Sequence, residues 1–303
     1  MRIGFVGLGN LGTHLAASLV RAGFALTVND LDRTRADPVV QAGATWADTP
    51  RSLAAQTDTV VTCLPSPAAV ARVLEGADGV LAGLRPGGTW IDTGTSDREL
   101  TARLAALAET RGVSVLEAPV TGGVHRAAAG KLTVIAGGAP DVFESQREVL
   151  EAIGDRVFHV GPLGAATALK VVTNMLAFVH LAATGEALML ARRAGLDLGQ
   201  AFEVIRASSG TSFVLETEGQ VILNGSYDIG FTIDLALKDL GFARSLGEQV
   251  GVPLELEALV ERRFEQAREA YGGGAWSPMV VKLLEDELHT DLRAGGYPPQ
   301  LAP

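Results

Sequence analysis

Thr167, Lys170 and Asn174 stand three and four positions apart in the stretch Gly161 to Gly195, which reads GPLGAATALKVVTNMLAFVHLAATGEALMLARRAG. Those spacings put the three side chains on one face of a helix. Met175 to Ala183 is apolar apart from His180, so the helix is expected to be buried on most of its circumference. A lysine in such a setting needs a partner, a cavity or a task. Near apolar surface its ammonium form is disfavoured, and the amine can then exchange a proton near neutral pH. An asparagine one turn further on could hold the oxygen that gives up that proton. On these residues alone, a lysine that extends its head to water from the helix start explains the pattern better.

A second constellation opens the chain. Arg2 to Val6 is a short apolar run, followed by Gly7-Leu8-Gly9-Asn10-Leu11-Gly12 and then helical spacing from Thr13 to Ala22. Glycines in a GxGxxG pattern between strand and helix make a tight turn, let backbone approach a pyrophosphate and let helix pack on strand. The helix start then offers N–H groups to phosphate. A second strand, Ala25 to Asn29, ends at Asp30. A carboxylate there can accept from ribose hydroxyls and repels a 2′-phosphate, which favours NAD over NADP. Asp32 stands close enough to take that role instead, and Arg33 and Arg35 could hold a phosphate, so NADP stays possible.

Other candidates lie at strand ends. DTVVTCL (58–64) reads as a buried strand broken by Pro65-Ser66-Pro67, and GGTWID leads into Thr93-Gly94-Thr95-Ser96. Ligands bind at the carboxyl ends of strands in open α/β sheets, although the same hydroxyls serve as helix caps. After a strand at Val113 to Leu116 comes EAPVTGG (117–123), whose paired glycines could turn backbone N–H groups toward a substrate carboxylate, with His125 and Arg126 as nearby cations. The five histidines are scattered without metal-ligand spacing, so no metal is expected. Cys63 reads as a small core residue.

The alternation of strands and helices continues through LTVIA (132–136), a helix from Asp141 to Ile153 and a strand at Val157 to Val160. It predicts an α/β domain with a mostly parallel, doubly wound sheet over residues 1–162. A long helix over 163–194 follows, then an all-α domain over 195–290 with helices near Leu198–Ala207, Phe213–Leu223, Ile233–Val250 and Leu254–Ala270. Residues 291–303, with Gly295-Gly296 and three prolines, read as a tail.

The chain has 303 residues, a net charge of −10, 47% hydrophobic residues and 20% charged ones. That fits a soluble two-domain enzyme and excludes a nucleic-acid or anionic-membrane partner, either of which needs a basic patch. One cysteine and no leader pattern suggest a reducing, cytoplasmic setting. Lys170, Asn174, His180 and Glu186 interrupt the long helix too often for a membrane span. A homodimer or homotetramer is expected.

Taken together, GFVGLGNLG, DTVVTCLP, IDTGTS, EAPVTGG, GPLGAATALKVVTN and FTIDLALKDL occur in the order of, and resemble, the motifs of the β-hydroxyacid dehydrogenase family typified by 3-hydroxyisobutyrate dehydrogenase. The resemblance covers roughly residues 1 to 285. It implies a Rossmann-type domain, a C-terminal domain like that of 6-phosphogluconate dehydrogenase, and hydride transfer between NAD(P) and a short β-hydroxy acid or its semialdehyde. It makes Lys170 the catalytic acid/base with Asn174 beside it. It carries cofactor contacts onto Gly7 to Gly12, Asp30, Leu64, Pro65, Thr95, Phe231 and Lys238, and substrate contacts onto Thr121, Gly122, Gly123, Lys170, Asn174 and Asp239. Gly94, Thr121, Thr173 and Ala275 depart from the usual family residues and bear on which acid is used. Two other readings share the architecture: an imine reductase, which usually lacks the lysine, and a dinucleotide-binding module without catalysis.

Overall fold

The computed structural model describes residues 1–302, which divide into two compact units, 1–170 and 171–302. The boundary follows Lys170, inside one continuous helix, Ala165–Arg193.

In the first unit six strands form one parallel sheet. They are β1 (Arg2–Val6), β2 (Ala25–Asn29), β3 (Thr45–Trp46), β4 (Thr59–Thr62), β5 (Thr89–Asp92) and β6 (Ser114–Glu117), in spatial order β3-β2-β1-β4-β5-β6. Their apolar runs are buried on both faces, as a sheet covered by helices on each side requires. Ile3, Phe5, Val28, Val61, Ile91 and Leu116 share one core cluster, while Val60 and Trp90 fill the cluster on the opposite face. The helix Gly12–Arg21 presents Leu15, Ala16 and Leu19 to the first cluster at helical spacing. The strand order reverses between β1 and β4, which opens a crevice at the carboxyl ends of those strands.

The expected continuation of this sheet is corrected. β7 (Val120–Thr121), β8 (Thr133–Ala136) and β9 (Arg156–His159) form a separate three-stranded sheet, β7 antiparallel to β8 and β8 parallel to β9. Pro119 stands between β6 and β7 and has no N–H to extend a ladder. A single antiparallel bridge, Glu117 to Gly137, links the two sheets.

The second unit is helical, with helices at Leu198–Arg206, Phe213–Asn224, Ile233–Val250, Glu255–Tyr271 and Lys282–Leu288 besides the remainder of the long helix. Phe178, Leu181, Leu188, Phe202, Leu240 and Phe264 lie in its core. Two expectations fail here. Of the expected tail 291–303, the described residues 291–302 are held down: Leu292 is buried, Arg293 makes a bidentate pair with Glu285, and Tyr297 packs edge-on against Phe202, while Pro303 lies outside the described residues. Nor is the long helix buried on most of its circumference, since Val172, Leu176 and Leu190 are exposed. By length and composition this helix is apolar enough to cross a membrane, the only such one among the described residues, but the core helix of a soluble protein passes the same test.

Candidate active site

The glycine loop after β1 is built for a close visitor. Gly7 has φ +101°, and a Cβ there would stand 2.3 Å from the Cys63 carbonyl oxygen. A Cβ on Gly12 would lie 2.0 Å from the Gly7 carbonyl oxygen, so the helix could not close on the strand with any larger residue. Gly9 differs: a Cβ there would meet only Arg35 Nη1, at 4.0 Å. Two glycines therefore serve internal packing, and the middle one leaves bare backbone facing open space, the fit a pyrophosphate needs. Thr13 Oγ1 donates to the carbonyls of Leu8 (2.8 Å) and Gly9 (3.1 Å), which ties Leu8-Gly9-Asn10-Leu11 to the helix.

Asp30 closes the other side. Its carboxylate accepts from the Leu8 N–H at 2.6 Å and from the Asp32 N–H at 2.9 Å, so it is oriented by the loop itself and keeps lone pairs for ribose hydroxyls. The competing Asp32 caps the 3-10 turn Arg33–Ala36 by accepting from Thr34 N–H and Oγ1, which holds its carboxyl below the usual range. The Arg33 guanidinium lies over the Trp46 ring. Arg35 is the cation that reaches toward Gly9.

Leu64 and Pro65 directly follow β4, and Leu64 Cδ2 would stand 3.0 Å from a Cβ on Gly7, so both belong to the wall beside the loop. Burial pushes the Cys63 thiol up to about 11, which leaves it inert. Thr95 follows β5, where Thr62 Oγ1 donates to Asp92 at 2.8 Å and Thr93 Oγ1 to the Thr62 carbonyl at 2.8 Å, locking the two strand ends together.

The turn after β7 has Gly122 at φ +130° and Gly123 at φ +78°, conformations that L side chains avoid. Arg126 packs its stem against Gly122, and the His125 ring lies against Gly123. Burial, and then Arg126, lowers the His125 pKa, while the Arg126 side chain lies against Gly122.

Lys170 is 7% exposed, three residues beyond Thr167 on the first turns of the long helix. Asn174 follows one turn later on the same helix. Within the second unit its Nδ2 donates to Asp239 Oδ2 at 2.6 Å, while Lys238 Nζ holds Asp239 Oδ1 at 2.7 Å. Asp239 is buried, with each oxygen engaged by one of these neighbours. Phe231 packs on Phe178 with ring centroids 6.2 Å apart. Among the described residues no group of histidine, cysteine and carboxylate side chains could hold a metal.

One residue escaped the sequence reading. Glu117 was only the first letter of a motif, yet its carboxylate is buried and bound to the start of the long helix. Its signal was a charge in an apolar strand, the same signal that marked Lys170.

The family model described as the NAD binding domain of 6-phosphogluconate dehydrogenase matches residues 2–161. A second, described as the NAD-binding of NADP-dependent 3-hydroxyisobutyrate dehydrogenase, matches residues 164–284. The chain belongs to the β-hydroxyacid dehydrogenase family. It is 34% identical over 296 residues to 2-(hydroxymethyl)glutarate dehydrogenase of Eubacterium barkeri, covering 97% of this chain and 98% of that one. It is 36% identical over 254 residues to the NAD-dependent L-serine dehydrogenase of Pseudomonas aeruginosa, covering 82% and 85%. A solved 3-hydroxyisobutyrate dehydrogenase from Salmonella typhimurium superposes with a TM-score of 0.87 at 31% identity, covering 93% of this chain and 99% of that chain. The imine reductase of Myxococcus stipitatus, at 18% identity and a TM-score of 0.62, shares the fold. As a member of the β-hydroxyacid dehydrogenase family the protein binds NAD(P) and is an NAD(P)-dependent oxidoreductase acting on CH–OH groups of hydroxy acids.

Proposed function

We propose that this β-hydroxyacid dehydrogenase oxidises a short β-hydroxy acid of the 3-hydroxyisobutyrate type with NAD, or reduces the matching semialdehyde, with Lys170 as the group that moves the hydroxyl proton. The observation that carries this reading is a buried amine set in the first turns of an apolar helix, with Thr167 and Asn174 on the same face. Bound nicotinamide supplies the hydride acceptor or donor. The rest falls to the chain. Gly7 to Gly12 and the helix Gly12–Arg21 hold the pyrophosphate, and Asp30 holds the adenosine ribose. Leu64, Pro65 and Thr95 line the way from the loop to the end of β5.

Thr121, Gly122 and Gly123 hold the substrate carboxylate with backbone and hydroxyl donors, and Arg126 adds charge beside them. Lys170 takes the proton from the substrate hydroxyl, and Asn174 donates a hydrogen bond to the same oxygen. Phe231 and Lys238 serve the cofactor. Asp239 acts by orienting the Asn174 amide and the Lys238 amine, because its two oxygens are already bonded to them. Asp30 favours NAD, and Arg35 beside Gly9 is the residue through which NADP could still be used. The imine-reductase reading rests on fold likeness alone. The exposed Val172, Leu176 and Leu190 on one helix support a homodimer or homotetramer, and the lone cysteine suits a cytoplasmic setting.

The test is NADH and NADPH formation with 3-hydroxyisobutyrate, glycerate, serine, threonate and 4-hydroxybutyrate. Turnover of at least one β-hydroxy acid, faster with NAD, is expected. Absence of reduced cofactor with every acid would overturn the reading.

A further inference from the structure

Glu117 ends β6, the strand that runs on through Ala118-Pro119-Val120 into Thr121-Gly122-Gly123. It is 2% exposed, and a carboxylate so buried is stable only where donors surround it. The donors come from one place. Gly164 N–H donates to Oε2 at 2.8 Å and Thr167 Oγ1 to Oε1 at 2.6 Å, and the backbone N–H groups of Ala166 and Thr167 add to them. These are the N–H groups left without helical partners at the start of Ala165–Arg193, where the helix dipole also favours a negative charge. Thr167 stands one turn before Lys170 on the same face.

The backbone of Glu117 is fixed as firmly as its side chain. Its N–H donates to the Gly137 carbonyl and its carbonyl accepts from the Gly137 N–H, both at 2.9 Å. Gly137 also leaves the space the carboxylate occupies. A Cβ there would lie 2.7 Å from Glu117 Oε2 and 3.0 Å from Ala166 Cβ.

We propose that Glu117 is a positioning residue, a clamp that fixes the first turn of the lysine-bearing helix to the strand leading into the carboxylate-binding turn. Through it the distance between Lys170 and Thr121–Gly123 is set inside the first unit. The inference rests on the proposed role of Lys170. A shift of the helix start by even a fraction of a turn would leave substrate bound and the amine misplaced, which lowers kcat more than it raises KM.

The experiment compares Glu117→Gln, Glu117→Asp and Gly137→Ala with the parent enzyme and with Lys170→Ala, at a temperature where circular dichroism shows all of them folded. Glutamine cannot accept from both donors, because its NH2 faces one of them. Glu117→Gln is expected to lose roughly 10- to 100-fold in kcat with less than about threefold change in KM and no change in the NADH dissociation constant. Amide exchange over 164–170 should quicken in the same variant. Glu117→Asp, which keeps the charge, should recover part of kcat, and Gly137→Ala should reproduce the loss. Unchanged kcat and unchanged exchange in Glu117→Gln, beside an inactive Lys170→Ala, would overturn the clamp and leave the proposed function standing. An active Lys170→Ala would remove the premise of both. Equal loss of stability in Glu117→Gln and Glu117→Asp with kcat unaltered would mark Glu117 as a structural residue only and also overturn the clamp.

Discussion

The two units hold their bonded carboxylates for different ends. In the first unit Asp30 and Glu117 grip backbone N–H groups: one orients the glycine loop, the other the start of the long helix. In the second, Asp239 and Glu285 mainly grip side chains, Glu285 also taking the Leu292 N–H. Asp239 links Asn174 and Lys238, and Glu285 binds Arg293 and Tyr227. A carboxylate on backbone fixes where a segment starts, whereas a carboxylate on side chains fixes which rotamers face one another. Changing Asp30, Glu117 or Asp239 should therefore cost function, whereas changing Glu285 should cost assembly of the second unit's own core.

Lys170→Ala bears the largest expected effect. Removing a general acid/base costs up to about 10⁴-fold in kcat, with NADH affinity measured by fluorescence nearly intact. Retained turnover with altered NADH affinity would make Lys170 a cofactor contact and leave Glu117 clamping a helix that does not carry the proton.

Next comes the closing network of the helical unit. Arg293→Ala leaves the buried Glu285 carboxylate with Tyr227 as its remaining side-chain donor and also frees the Ile222 carbonyl. Loss of a buried pair costs several kcal/mol, discounted here because the guanidinium is part-exposed, so about 2 kcal/mol is expected in urea unfolding. Catalytic constants of the folded fraction should stay as they were. A fall in kcat instead would mean that the second unit's network also tunes the site.

Much of this was legible beforehand, for reasons that differ by region. β1, β2 and the helices of 198–250 could be placed from apolar period and glycine or proline punctuation, and the structure adds that Asp197, Ser212 and Thr232 each cap the helix that follows. The glycine loop was legible because only glycine tolerates the contacts at Gly7 and Gly12. The small second sheet was not, because β7 is two residues long and its pairing depends on a partner twelve residues away. The last residues misled because glycine and proline read as loop, while Leu292, Arg293 and Tyr297 between them form the contacts that hold the segment down. Helix burial misled because apolar composition cannot say which faces of a helix its own chain covers, and Val172, Leu176 and Leu190 are left exposed.

A smaller effect belongs to Asp30. Asp30→Ser, combined with an arginine introduced at Leu31, should shift the NADP/NAD ratio of kcat/KM by roughly 10-fold toward NADP, about 1.4 kcal/mol, through lost ribose acceptance and lost repulsion. The serine also releases the Leu8 N–H, so some loss with NAD is part of the expectation. An unchanged ratio would sink the ribose role and leave Asp30 a loop brace.

The smallest concerns Glu218. Burial raises its pKa to about 8, and one carboxyl oxygen is buried without a partner. A carboxyl raised in the folded state keeps its full contribution to stability below the unfolded value near 4.5 and loses it as pH rises toward 8. Glu218→Gln should therefore gain about 1 kcal/mol at pH 8 and nothing at pH 4.5. Equal gains at both pH values would show that ionisation is not the cause.

The claim on which the rest depends is that the Lys170 amine carries the proton, and chemical rescue tests it most directly. Turnover of Lys170→Ala is followed with saturating NAD and the best hydroxy acid, in the presence of small primary amines of graded basicity. The account predicts that activity returns with added amine, saturates, and follows amine basicity and size. Turnover of Lys170→Ala within tenfold of the parent without any amine would contradict it.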